Sequence, residues 1–160
     1  MKKLNMGCGT DIRLDFINLD KYPHPGVNVL HDIAYPLPFT NQTFQEVHAN
    51  HVLEHLTEII PIMNEVWRIL APRGTFHISV PFWSGSWARG DPTHRRFFDH
   101  NSFEPFSSWH PRYKYLGIQG PWQKIAQDYS EDPDFDKLPF YKTAGYGRLL
   151  EMRVTLRKPD

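Results

Sequence analysis

Residues 4–20 decide the fold: Leu4-Asn5-Met6-Gly7-Cys8-Gly9-Thr10-Asp11-Ile12-Arg13-Leu14-Asp15-Phe16-Ile17-Asn18-Leu19-Asp20. The segment Lys3 to Met6 is short and half apolar. It breaks at Gly7-Cys8-Gly9, the pattern of a strand entering a glycine turn. Phe16 to Asp20 alternates and ends on an acid, which predicts a second strand. Only Thr10 to Asp15 separates Gly9 from that strand. Six residues reach about 20 Å at full extension, enough to run back along a strand with at most one helical turn. A parallel crossover ordinarily takes a dozen or more residues and a helix.

The same grammar continues outward. Val27 to His31 predicts a third strand, followed by Asp32 and by Tyr35-Pro36-Leu37-Pro38-Phe39, which cannot be helical throughout. Phe44 to Ala49 alternates as a fourth strand. From Thr57 to Leu70 the period changes, with Ile59, Ile62, Met63, Val66, Ile69 and Leu70 at helical spacing and Thr57 as the expected N-cap. Pro72-Arg73-Gly74 ends the helix, and Thr75 to Val80 predicts a fifth strand. Residues 82–112 read as an irregular, aromatic-rich insertion with one short helix near Ser102 to Ser107. Strand character returns over 113–129 and again from Leu149 to Leu156.

A chain of 160 residues can bury a core without disulfides. Its 18 basic and 18 acidic residues balance, so no global field draws it to nucleic acid or an anionic membrane. One cysteine, Cys8, leaves no internal disulfide and suits a reducing compartment. No long apolar run predicts a membrane span, and Met1-Lys2-Lys3 leads straight into an apolar segment without a signal peptide. The expected setting is cytoplasmic.

In an open parallel sheet, ligands bind beyond the carboxyl ends of the strands. Here those ends carry Gly7 and Gly9, then Asp20, then Asp32, then Asn50 and His51. Glycines let a ligand lie against the backbone. An acid after strand two can accept bonds from ribose hydroxyls, and an acid after strand three can accept one from an adenine amino group. This describes an adenosine site. The full dinucleotide fingerprint is absent, because Ile12 stands where its third glycine belongs.

The segments LNMGCGTD, INLD, HDIAYPLPF, FQEVHANHVLEHL and EVWRILAPRGTFHISVP resemble, in order and type, the class I S-adenosylmethionine-dependent methyltransferases, in particular a small bacterial and phage-type branch. The resemblance covers residues 3–81 well, with GDPTHRRFF near residue 90 also similar. It implies S-adenosyl-L-methionine as cofactor and methyl transfer to a small polar acceptor, a sugar or other metabolite. Gly7, Cys8 and Gly9 would then line the methionine and ribose part. Asp20 would hold the ribose, Asp32 and Ile33 the adenine, and Asn50 and His51 would border the sulfonium. Two positions depart from the family: its usual acid before the glycines is Asn5, whose amide oxygen would accept the cofactor's amino group, and its usual third glycine is Asp11. Arg13 is the substitute expected for the shortened helix N-terminus that would otherwise favour the cofactor carboxylate. The implied fold is α/β: a single domain over 1–160 built on a Rossmann-like, mainly parallel sheet of about seven strands. Its C-terminal strand is antiparallel, and the helices between the first three strands are reduced. Parallel sheets rarely leave a face wet, so either the aromatic C-terminal half or a second subunit, in a homodimer, is expected to cover it.

Two motifs keep alternative readings. His51-Val52-Leu53-Glu54-His55 fits a zinc-peptidase pattern, which would need a continuous helix and a third ligand. The competing readings are a plain helix start with Glu54 at its positive end, and a cofactor-edge turn at His51 with His55 facing substrate. No metal is the expectation. In Gly90-Asp91-Pro92-Thr93-His94-Arg95-Arg96, Asp91 and His94 could form an acid–imidazole dyad, with Arg95 binding an acidic substrate group, or the run could be a capped turn. Trp83 and Trp87 could shape a substrate pocket or simply pack. Beside the enzyme stand two other readings: a non-catalytic cofactor-binding relative serving as a partner subunit, and a zinc hydrolase built on HVLEH.

Overall fold

The computed structural model describes residues 2–107, 115–137 and 143–160. Trp109, Tyr113 and the end of the aromatic-rich 82–112 insertion lie outside them. Seven strands form one sheet: β1 (Lys2–Met6), β2 (Ile17–Asp20), β3 (Val29–Leu30), β4 (Phe44–Asn50), β5 (Leu70–Pro81), β6 (Gln123–Glu131) and β7 (Leu149–Arg157). Their order is β3-β2-β1-β4-β5-β7-β6. The pairings among β1 to β5 are all parallel, and β7 runs antiparallel to both of its neighbours. The mainly parallel sheet and the antiparallel C-terminal strand are as the sequence predicts.

The connections match the reading of residues 4–20. No helix lies between β1 and β2, between β2 and β3, or between β3 and β4. β3 is shorter than Val27 to His31, but Asn28 N–H to Asn18 O and His31 N–H to Asp20 O, both 2.8 Å, continue the pairing on either side.

The helix α1 (Ile60–Ile69) begins later than Thr57, and no side chain caps it. Pro61 sits in its first turn, where the missing N–H costs nothing. Its buried stripe is Ile62, Met63, Val66 and Ile69, each side chain contributing roughly 1.5–3 kcal/mol. β5 starts at Leu70 rather than Thr75, because Leu70 pairs with Phe44 across a bulge. Within the insertion a short helix, α2 (Ser86–Gly90), is present that periodicity did not announce, and the expected turn near Ser107 is a single 3-10 turn, Glu104–Phe106.

The two faces of the sheet differ completely. Leu4, Val47, Phe76 and Leu156 occupy one face by register, all at or below 1 % exposure. Onto it pack α1 and the aromatic segment, with the Trp122 ring 5.0 Å from Trp67 and 6.2 Å from Phe76. The opposite face carries Lys3, Glu46, His48, Thr75, His77 and Thr155. Those side chains bond one another, so this face meets water through polar groups. The aromatic half joins α1 on the apolar face instead of covering the face that lacks helices.

Candidate functional site

The strand ends β1 to β4 open onto a cavity of about 490 Å³ lined by Gly7, Asp20, Lys21, Tyr22, His31, Asp32, Ile33, His51, Val52, His55, Leu56, Thr93 and Arg95. Gly7 has φ +67°, and a Cβ there would meet Val52 Cγ2 at 2.6 Å, so only glycine fits this turn. Gly9 N–H donates to Asp20 Oδ2 at 2.7 Å, and Tyr22 N–H donates to Oδ1 at 2.8 Å. These two bonds tie the glycine turn to the end of β2 and fix the carboxylate. Each oxygen keeps lone-pair capacity for a ligand hydroxyl. Asp32 accepts Ala34 N–H at 3.0 Å in a local turn.

An adenosine ligand fits this cavity on one further observation: His31 Nε2 is buried without a partner among the described residues, and His31 lines the same wall. His31 was missed in the sequence because it reads as the last residue of a strand. Its position between two strand-end acids was the available signal. Lys21, Tyr22 and Thr93 were missed likewise.

Other expected cofactor residues sit elsewhere. Asn5 is 1 % exposed, and its amide N–H donates to Asp11 O at 2.6 Å and Asn18 Oδ1 at 3.1 Å. It braces the loop instead of lining the cavity. Cys8 is buried, and burial together with nearby Asp20 pushes its thiol up. Neither Cys8, Gly9 nor Asn50 lines the cavity. Arg13 faces away as well: it pairs with Asp11 at 2.9 Å and bonds His48 Nδ1 at 2.8 Å on the polar sheet face.

A second cavity, of about 580 Å³, adjoins the first through His51 and His55. Its wall adds Glu54, Ser86, Trp87, Asp91 and His94. Trp87 lines it, whereas Trp83 does not and instead carries the Arg89 guanidinium 5.4 Å from its ring. Arg95, expected on the substrate side, lines the first cavity.

His51 follows β4 with φ +52°, a left-handed conformation that turns its ring between two carboxylates. Nε2 bonds Glu151 Oε1 at 3.1 Å, and Nδ1 stands 3.3 Å from Glu54 Oε1 at ion-pair range without hydrogen-bond alignment. Glu54 foremost, then Glu151, raises the pKa of His51 against the opposing effect of burial. HVLEH is therefore no continuous helix. His51 lies in a strained turn, and Leu53–His55 is a 3-10 turn that ends before α1.

The fold stitches this turn to the second motif. Arg95 and Arg96 N–H donate to Glu54 O at 2.7 and 3.1 Å. The expected dyad is loose: His94 Nε2 is 3.7 Å from Asp91 Oδ2, and Asp91 is held instead by the N–H of Thr93 at 2.7 Å and its hydroxyl at 2.6 Å. Those bonds lower the pKa of Asp91. Glu54 was underrated in the sequence. It is 1 % exposed and neither carboxylate oxygen has a hydrogen bond among the described residues. Its charged neighbour is His51, at 3.3 Å from Oε1.

Residues 4–78 match the family described as methyltransferase domain. No curated protein matches the sequence. Among solved structures, an S-adenosylmethionine-dependent methyltransferase from Archaeoglobus fulgidus is 14 % identical with a TM-score of 0.69, covering 98 % of this chain and 86 % of its own. A second, from Mesorhizobium loti, is 13 % identical with a TM-score of 0.62, covering 98 % and 90 %. The [4+2]-cyclase SpnF is 15 % identical with a TM-score of 0.64, covering 99 % and 75 %. No helix among the described residues is long and apolar enough to cross a membrane. Residues 4–78, just under half of the chain, thus match the methyltransferase domain family, the whole chain carries the class I S-adenosylmethionine-dependent methyltransferase fold, and S-adenosylmethionine is the cofactor that this match and fold imply.

Proposed function

We propose that the protein transfers a methyl group from S-adenosyl-L-methionine to a small polar acceptor, a sugar or other metabolite, in the cytoplasm. One observation carries this reading: the cavity at the strand ends and the cavity beside α2 meet at His51 and His55. The nucleoside belongs in the first, with Gly7 beneath it, Asp20 on the ribose, and Asp32, Ile33 and His31 around the base. The acceptor belongs in the second, against Trp87 and His94. Bound there, the cofactor supplies a methyl group already activated by its sulfonium. The chain's own work is then alignment and electrostatics. His51, held between Glu54 and Glu151, borders both cavities and fixes the passage between them. His94 donates Nδ1–H to Ala88 O at 3.0 Å, which leaves Nε2 with a lone pair for an acceptor proton.

A second reading, a cofactor-binding relative without methyl transfer, is favoured by the lost helices between β1 and β3 and by the likeness to a cyclase on the same fold. Calorimetry with S-adenosylhomocysteine tests the cavity, and labelled methyl transfer into cell-extract metabolites separates the two readings. Asp20→Ala is expected to weaken nucleoside binding about a hundredfold, since two ribose bonds to a charged acceptor are lost. Unchanged affinity would place the ribose elsewhere.

A further inference from the structure

We propose that Glu54, His55 and His94 form a binding site for a divalent ion of the zinc type in the wall of the second cavity. One ligand-capable atom from each residue lies within 4.8 Å of the other two. The motif HVLEH suggested His51 and His55 as ligands. The fold replaces His51 with Glu54 and brings the missing third donor from the second motif.

Three independent features make this a site and not a coincidence of residue types. First, both carboxylate oxygens of Glu54 are buried without a hydrogen bond among the described residues, and Glu54 lines the cavity. Second, the His94 tautomer is set from behind. A backbone carbonyl only accepts, so Nδ1 carries the proton it gives to Ala88 O at 3.0 Å, and Nε2 is left with its lone pair. Third, His55 is set in the same way. The Thr93 hydroxyl gives its single proton to Asp91 Oδ1 at 2.6 Å, so it must accept from His55 Nδ1 at 3.0 Å. That again leaves Nε2 free. Imidazoles whose other nitrogen donates to a carbonyl or a carboxylate-linked group are the usual form of histidine at metal ions.

Two imidazoles and one carboxylate with an open fourth position favour zinc, cobalt or nickel over magnesium or calcium. Bonds of about 2.1 Å at tetrahedral angles separate ligand atoms by about 3.4 Å, so loading draws the three side chains closer together. The His55 and His94 rings already meet edge to face with centroids 4.9 Å apart. Ion binding itself does not depend on the proposed methyl transfer. Its use does: the fourth position would take a hydroxyl or amine of the acceptor, and His94 would then serve as ligand rather than base.

The full chain, stripped with chelator and free of nucleoside, is titrated with Zn²⁺ by calorimetry and with Co²⁺ by visible absorption. One ion per chain with a tetrahedral cobalt spectrum is expected. Glu54→Gln and His94→Gln should each weaken binding at least about a hundredfold. Thr93→Val, which removes the hydroxyl that orients His55 and bonds Asp91 but no proposed ligand, should weaken it roughly tenfold. His77→Gln, in the other Glu–His–His cluster, should leave it unchanged. Circular dichroism verifies folding, and Glu54→Gln and Thr93→Val preserve side-chain size should His94→Gln fail to fold. No binding at stoichiometric ion, or binding lost in His77→Gln and kept in Glu54→Gln, overturns the site. S-adenosylhomocysteine binding, measured separately, then reports on the proposed function alone.

Discussion

Among the described residues, two clusters each hold one glutamate and two histidines, and their hydrogen bonding is opposite. On the polar sheet face, Glu46, His48 and His77 are satisfied throughout. His48 bonds Arg13 at 2.8 Å and Glu46 at 2.5 Å, and His77 bonds Thr155 at 3.1 Å and Thr75 at 3.0 Å. The two rings stack with centroids 4.5 Å apart, and Phe16 stands edge-on to His48. In the cavity wall, the Glu54 carboxylate lacks hydrogen bonds while His55 and His94 each have one nitrogen tied back. Residue type alone does not distinguish these clusters. The difference lies in whether donors and acceptors are used up within the fold. A network that closes on itself supports the sheet; one that stops short leaves capacity for a ligand.

The sharpest way to break this comparison is to neutralise each glutamate in metal-free protein. Glu54→Gln removes a buried charge that has no hydrogen bond, but also the ion-pair contact with His51 at 3.3 Å. His51 keeps Glu151 at 3.1 Å, so the net gain in stability should be below about 1 kcal/mol. Glu46→Gln removes the acceptor shared by Lys3 at 3.1 Å and His48, and should destabilise by about 1 kcal/mol. Urea unfolding of both variants against wild type measures the signs. Two changes of the same sign would mean that Glu54 is as well satisfied as Glu46, and the contrast would collapse.

The sheet was legible in the sequence because its signals are local. Glycine turns, alternation and strand-end acids each occupy a few residues, and the six-residue link from Thr10 to Asp15 correctly denied a helix. The placement of Asn5 and Arg13 was not legible, since both are claimed by the residues they fold against: Asn18 and Asp11 for the amide, Asp11 and His48 for the guanidinium. Thr57 looked like a cap, yet the N-cap is Ile59, so the helix starts two residues later than expected, with Pro61 in the first turn at no cost in hydrogen bonds. HVLEH misled through its spacing. The i, i+4 relation assumes an α-helix, and His51 at φ +52° ends that assumption. The pairing of Glu54 and His55 with His94 spans about forty residues, and no periodicity within a segment reports it.

Acid should separate the sheet cluster from the rest of the molecule by a smaller amount. Burial first, and then the Arg13 charge for His48 and the His48 neighbour for His77, holds both imidazoles below the ordinary value of 6.5. The unfolded chain therefore binds these protons more readily than the folded one. The stability they report is complete above pH 6.5 and is lost as pH falls from there through the depressed folded values. Glu46 titrates lower, its pKa held below 4.5 by His48 and Lys3 against the opposing effect of burial, so its loss comes later. His77→Gln should lose less stability than wild type between about pH 7 and about pH 5.5. Parallel curves for the two proteins would show that the stacked pair titrates as it does in the unfolded chain.

The smallest effect tests how far the sheet network depends on its rim. Lys3 reaches Glu46 at 3.1 Å, but its side chain is 44 % exposed, so water screens the pair. His48 still holds Glu46 from the other side. Lys3→Ala should therefore cost less than about 0.5 kcal/mol and fade further in high salt. A loss as large as that of Glu46→Gln would shift the weight of the network from the stacked histidines to its exposed edge. The polar face would then be held by surface charge, and high salt alone should loosen it.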